Sequence, residues 1–270
     1  FLQSLGINPS QINPNKIRVY GNGGTVLPEK VTNNIIDDLE QNAIFVSSTG
    51  SSFGVNDYIL FYANGPVKWT LDPSDSLYEH TPNYYENNSY YFLNFDLGNG
   101  KRITNFDATG TATATINSFD DYAVIDVDSF NPSKIGKIWW GQKMQTAGSG
   151  SASSTFNINM GTLLGDASIR AHVGGILDAN NNNINIAINN ASLMTIFLPK
   201  INTNMSIMEA FQSTTASIDG NMNVKLTLNT SASGIGYLDF LLINAKRKLT
   251  MAGSGGQLSF RNKATSTDLN

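Results

Sequence analysis

The sequence predicts an all-β chain of two β domains, the second a jelly-roll-like β-sandwich. Three observations carry this prediction. Apolar and polar residues alternate with period two along much of the 270 residues, and the spacing of an amphipathic helix is scarce. Gly- and Asn-rich turns separate these runs. Hydrophobic residues make up 40%, enough to bury a core, while charged residues make up only 14% against roughly 25% in a typical globular domain. Asparagine, present 34 times, fills the polar share.

In the first half, Ile17 and Val19 alternate with Lys16, Arg18 and Tyr20 and stop at Gly21-Asn22-Gly23-Gly24, a turn. Ala43 to Val46 and Tyr58 to Tyr62 read as strands; the second is apolar on both faces and is expected to be central. Asn64-Gly65-Pro66 closes it, and Val67 to Leu71 follows. Tyr90 to Phe95 is a further strand, ended by Gly98-Asn99-Gly100. Glu29 to Gln41 leaves room for a helical turn.

The second half alternates more regularly. Phe156, Ile158 and Met160 share one face of a strand, as do Ala167, Ile169, Ala171 and Val173 of the next. Ile184, Ile186 and Ile188 follow the loop Asp178 to Asn183, and Val224, Leu226 and Leu228 repeat the pattern. One polar and one apolar face per strand is the signature of antiparallel sheets packed on one side. Met205 to Gln212 reads either as a short helix capped by Asn204 or as another strand. Thr146 to Ser154, rich in Gly and Ser, reads as a mobile hairpin loop. No bulky residue occurs from Asp107 to Thr115, which places a connector at 106–117 between domains at 1–105 and 118–270.

Charge and composition exclude several functions. A net charge of −4 and a pI near 5.1 do not suit general nucleic-acid binding, which needs Lys and Arg to neutralise phosphate. The absence of cysteine removes disulfides, zinc ribbons, iron–sulfur clusters and thiol nucleophiles together. The longest apolar stretch, Tyr237 to Ala245, is interrupted by Asp239 and is far short of the roughly 20 residues of a membrane-spanning helix. The chain begins at Phe1 with no charged segment ahead of an apolar run, which predicts a processed or excised segment.

The search for chemistry is mostly negative. There is no phosphate-binding G-x-x-x-x-G-K-[ST], no dinucleotide G-x-G-x-x-G between strand and helix, and no G-x-S-x-G nucleophile elbow. Asp120-Asp121 and Asp126-x-Asp128 either seat a divalent cation or are acidic residues on a solvated face, the commoner case. His80 and His172 read as hydrogen-bonded surface histidines. Lys246-Arg247-Lys248 reads as a solvated strand end. No catalytic, cofactor or metal-ligating residue is assigned. A carbohydrate-binding β-sandwich module is the alternative function; it would use Trp69, Trp139 or Trp140 as a platform beside Asn and Asp. Adjacent tryptophans on a strand face opposite ways, so at most one of Trp139 and Trp140 serves a given platform.

Several segments, taken in order, carry a family resemblance. These are Leu5-Gly6-Ile7-Asn8-Pro9, Ile17-Arg18-Val19-Tyr20-Gly21-Asn22-Gly23-Gly24 and Leu27-Pro28-Glu29. Asp37 to Ile44, Asp57 to Pro66, His80, Tyr90-Tyr91-Phe92 and Gly100-Lys101-Arg102-Ile103 continue the series. Phe119-Asp120-Asp121-Tyr122, Trp139-Trp140-Gly141, Gly236 to Phe240 and Asn244 to Arg247 complete it. The chain resembles, over about residues 5 to 249, the region upstream of the catalytic domain in the gingipain-type sortase of the type IX secretion system. Gly141-Gln142-Lys143-Met144 departs from the pattern, which expects an acidic residue after the glycine and an aromatic three positions later.

The resemblance implies a parent cysteine peptidase at the outer membrane and cell surface of a Gram-negative bacterium. Such a peptidase removes the C-terminal signal domain of secreted cargo and helps attach that cargo to surface lipopolysaccharide. Its Cys/His pair lies in a caspase-like domain expected after this segment, and nothing here matches the pair. The implied role is a non-catalytic accessory and scaffold region without a cofactor. Its implied partners are the C-terminal catalytic domain of the same polypeptide, an outer-membrane secretion component and the secreted cargo.

The strand from Tyr237 to Lys248 bears on that role. Strict alternation puts Leu238, Phe240 and Leu242 on one face and Tyr237, Leu241 and Ile243 on the other. Two apolar faces imply two covers, since burying each such side chain stabilises by roughly 1.5–3 kcal/mol. The expected domain interface is therefore Tyr237, Leu241, Ile243 and Arg247, with a loop of the same domain as the competing cover.

Overall fold

The computed structural model describes residues 2–30, 36–105, 110, 115–134, 136–202, 206–251 and 258–263. It is all-β and divides into two compact units: Phe1–Leu71 with Glu79–Ala112, and Asp72–Tyr78 with Thr113–Asn270. A single cut in the sequence misses that excursion of Asp72–Tyr78. The 106–117 connector lies mostly outside the described residues.

The first unit opens with three 3₁₀ turns, Gln3–Leu5, Pro9–Gln11 and Pro14–Lys16. Asn8 and Asn13 cap the last two: their side-chain oxygens accept from the Ser10 and Asn15 amides, and a proline with preset φ follows each. The strands are β1 (Arg18–Tyr20), β2 (Gln41–Asn42), β3 (Phe45–Val46), β4 (Ile59–Leu60), β5 (Lys68–Leu71), β6 (Tyr78–Thr81) and β7 (Phe92–Asn94). They form a sheet ordered β2-β1-β7 and the pairs β3-β4 and β5-β6. Ile12, Ile17, Val19, Ile44 and Phe53 make the core. The Arg102 guanidinium ties the first turns down by donating to the carbonyls of Pro14, Asn15 and Ile17.

One expectation fails here. Tyr58 to Tyr62 is not a central strand: among the described residues β4 pairs only with β3, and Tyr58, Leu60 and Tyr62 are exposed. Among the described residues of this unit the paired strands are short, and β3 and β4 make a two-stranded sheet. Tyrosine, with its polar tip, tolerates that position. Residues 36–40, within the unassigned Glu29 to Gln41, are not helical; 31–35 lie outside the described residues.

The second unit is an antiparallel sandwich. Its strands are β8 (Ser118–Asp126), β9 (Gly141–Thr146), β10 (Gly150–Asn159), β11 (Ala167–Leu177), β12 (Asn182–Ile188), β13 (Ala191–Leu198), β14 (Met208–Ala216), β15 (Asn221–Thr230) and β16 (Gly234–Lys248). One sheet runs β10-β15-β12-β13; the other runs β14-β11-β16-β8, with β9 also paired to β16. The neighbours out of sequence order show that the chain crosses repeatedly between sheets, as a jelly-roll-like connection requires. Ile169, Ala171 and Val173 face Ile184, Ile186, Leu226 and Leu228 in one core.

Two local readings are corrected. Gly150–Ser154 is the start of β10, paired along its length with β15, so the loop contracts to residues 147–149. Small side chains there are compatible with a ladder because pairing with β15 runs through backbone groups. Met208–Ala216 is a strand on the edge of the second sheet, paired with β11, which resolves the ambiguity at Met205 to Gln212; 203–205 lie outside the described residues.

The larger correction concerns β16. Val173 pairs with Leu238 but His172 pairs with Phe240, so Asp239 is an extra residue, a β-bulge. The bulge inverts the parity of the strand. Leu238, Leu241 and Ile243 all face the core, whereas Tyr237, Phe240 and Leu242 sit opposite β11 residues on the outer face. Leu241 and Ile243, both 0% exposed, are therefore packed in the core of their own sandwich, against the facing sheet.

Candidate functional site

The outer face of the sheet containing β11 and β16 brings together His172, Asp239, Glu209 and Arg170. Period two puts Arg170, His172 and Gly174 of β11 on this face, opposite Leu242, Phe240 and Tyr237 of β16. The Asp239 bulge aims its carboxylate sideways: Oδ2 lies 2.8 Å from His172 Nδ1. Glu209 of β14 places an oxygen 3.6 Å from His172 Nε2. Rings enclose the imidazole, with Trp140 at 5.5 Å and Phe240 at 6.0 Å between centroids. His172 is thus mostly shielded rather than a simple surface histidine, its side chain 15% exposed.

Trp140 is positioned by backbone and by absence of bulk. Its amide donates to Phe130 O at 2.7 Å, and its carbonyl accepts from the Phe130 amide at 2.8 Å. Its ring packs with Ile207 and Tyr237 over Gly174, where a Cβ would come within 2.5 Å of the indole. Burial pushes the Tyr237 hydroxyl above its usual pKa. The adjacent tryptophans do face opposite ways: Trp140 is 2% exposed and Trp139 41%. Trp140 is core, and only Trp139 of the pair remains available as a platform. In the first unit, Trp69 stacks near His80 with ring centroids 5.7 Å apart.

Farther along the same face, Arg170 is ion-paired with Asp75, and Asn244 bonds both backbone groups of Tyr78. Residues 72–78 therefore lie over this end of the sheet, near the buried Leu242. Their early position in the chain is why no local signal near 240 announces them. Asp72 is held below its ordinary pKa by the Ser74 amide donating to its carboxylate.

The first of the acidic pairs is engaged by basic side chains and backbone. Asp121 binds Arg247 at 2.9 Å, and Asp120 faces Lys246 at 3.6 Å and accepts from the Lys263 amide. Among the described residues no cluster of three or more His, Asp or Glu is placed to hold a metal ion. Arg247 is not a solvated end: besides Asp121 it lies 5.6 Å from the Phe119 ring. Of the four expected interface residues, Tyr237 is engaged by Trp140 and Arg247 by Asp121, on opposite ends of β16.

The first unit holds an apolar cavity of about 270 Å³ lined by Ile17, Phe53, Val55, Leu93 and Phe95. Asp57 also borders it, its carboxylate kept below the usual range mainly by the Gly54 amide. Those oxygens are already engaged by Gly54 and Ser47, so the cavity offers no free acid.

These features define an all-β chain built around an antiparallel sandwich. The fold is similar to part of latent PorU from Porphyromonas gingivalis, solved as a dimer, with TM-score 0.64 and 21% identity over 89% of this chain. The chain covers only 22% of that protein's length. Similarity also extends to CBM35 from Cellvibrio japonicus Abf62, with TM-score 0.31, 18% identity, and 51% of this chain and 94% of that one covered. A family 35 carbohydrate-binding module from an environmental isolate gives TM-score 0.32 and 11% identity, covering 50% of this chain and 98% of that one. No protein-family model and no curated protein sequence matches the chain.

Proposed function

We propose that this chain is a non-catalytic accessory and scaffold region of a cell-surface, gingipain-like sortase that processes the C-terminal signals of type IX secreted proteins. The observation that carries this reading is the likeness to PorU along 89% of the chain. The ordered segments from Leu5 to Arg247 support it from the sequence side. The missing thiol agrees with a supporting part: neither His80 nor His172 has a cysteine to activate. In this reading the peptidase domain of the same polypeptide is the principal partner, with an outer-membrane secretion component and the cargo as further ones.

The test begins with the reading frame after Asn270, where a Cys/His peptidase domain is expected. Deleting residues 1–270 from the full-length protein should then leave cargo signals uncleaved in the producing cells. A downstream frame without such a domain, or cleavage unaffected by the deletion, overturns the reading.

A further inference from the structure

The outer face of the sheet β10-β15-β12-β13 has a chemistry of its own. Among all residues of its four strands, Lys225 is the only charged one. Register aligns the outward side chains into rows across the sheet. One row is Ser151, Asn229, Asn183 and Phe197; the next is Ser153, Thr227, Asn185 and Thr195. These side chains are half-buried or exposed, and Phe197 is 73% exposed.

Hydrogen bonds along the rows fix their orientation. Asn229 Nδ2 donates to Asn183 Oδ1 at 2.9 Å, and Asn185 Nδ2 donates to Thr195 Oγ1 at 3.0 Å. Asn185 spends both Nδ2 hydrogens, on Thr195 Oγ1 and on Ser192 Oγ at 2.8 Å, and Asn229 Nδ2 also reaches Thr227 O at 3.5 Å, so the carbonyl oxygens of Asn185 and Asn229 keep acceptor capacity while Asn183 presents its NH₂ as donor. With strands about 4.8 Å apart and same-face residues about 6.8 Å apart along a strand, the face is a pre-ordered grid of neutral donors and acceptors.

Few partners match that grid. An anionic polymer would need a cationic surface, and Lys225 alone does not make one. A protein interface concentrates aromatic and Arg anchors near its centre, whereas Phe197 lies on the edge strand β13. A neutral polysaccharide presents hydroxyls that both donate and accept, and apolar C–H faces that stack on an exposed ring. We propose that this sheet face binds a neutral polysaccharide chain, with Asn183, Asn185 and Asn229 as its hydrogen-bonding residues and Phe197 as its stacking platform. The site lies on the other sheet from Trp140 and His172, and it does not depend on the sortase reading.

The 270-residue protein, run through native gels containing dextran, galactomannan, xyloglucan or alginate, tests this. Retardation by at least one of the three neutral polymers is expected, and none by anionic alginate. Asn185→Ala should weaken it about fivefold, the loss of one hydrogen bond, and Phe197→Ala by a similar factor. His172→Ala, on the other sheet, should leave it unchanged. Both key positions are solvent-facing, and circular dichroism confirms that the variants fold. No retardation by any neutral polymer, retardation by alginate alone, or retardation unchanged in both Asn185→Ala and Phe197→Ala overturns the proposal. Self-association by sedimentation that these two variants abolish reassigns the face to protein packing and overturns it too.

Discussion

Asn244 serves Tyr78 as a strand would: its Oδ1 accepts from the Tyr78 amide at 2.7 Å and its Nδ2 donates to the Tyr78 carbonyl at 3.0 Å. Both bonds are buried, and Asn244 is itself 4% exposed. One side chain thereby satisfies two main-chain groups that would otherwise sit unpaired away from water.

Replacing it should be costly. Asn244→Leu keeps the branching of the side chain but orphans a donor and an acceptor, at about 1–3 kcal/mol each. We expect urea denaturation to show a loss of about 2–6 kcal/mol. A loss below about 0.5 kcal/mol would mean that Tyr78 finds other partners.

The Trp140 pocket depends on a missing methyl group. In Gly174→Ala the new Cβ would sit 2.5 Å from the indole, so the ring must move. Overpacking of this kind costs about 1–3 kcal/mol. The fluorescence of Trp140, isolated by Trp69→Phe and Trp139→Phe, should shift to the red as the ring gains water. Unchanged emission would show that the sheet yields instead.

The bulge in β16 separates geometry from charge. Deleting Asp239 restores strict alternation and drives Leu241 and Ile243 out of the core or breaks the pairing with β11; loss of the native near-ultraviolet circular dichroism is expected. Asp239→Asn keeps the extra residue and gives up only the interaction with His172, at about 1 kcal/mol. Similar stability of the two variants would refute the structural role of the bulge.

That bulge also marks the limit of what could be read from the residues alone. The alternating strands of the second half were legible because each has one wet face, as Val224 to Leu228 shows. The pairing of Asn185 with Thr227 and Thr195 was not, since register depends on partners far along the chain. Period-two reasoning placed Leu238 with Phe240; one inserted residue, with no Gly or Pro to announce it, reversed the second half of the strand. His172 was legible as lying on a polar face, but its enclosure by Trp140, Phe240 and Asp239 arises from three separate segments.

Alkaline pH should weaken the second unit. Burial raises the Tyr237 phenol above the ordinary 10.0, and that of Tyr78 likewise. The unfolded chain then releases these protons first, so stability is full below about pH 10 and falls as pH rises from there through the folded values. The denaturation midpoint measured from pH 8 upward should drop less steeply in Tyr237→Phe. An identical slope in that variant would remove Tyr237 from the effect.

The 166 positions separating Tyr78 from Asn244 set a waiting time on synthesis. A ribosome adding about 5–20 residues per second needs roughly 8–33 s to make the intervening chain. Until β16 emerges, the Tyr78 backbone has no Asn244 to bind and Asp75 waits for Arg170. For that interval the turn between β5 and β6 is a nascent segment whose two polar main-chain groups remain hydrated, and the second unit can close only after β16 has been translated.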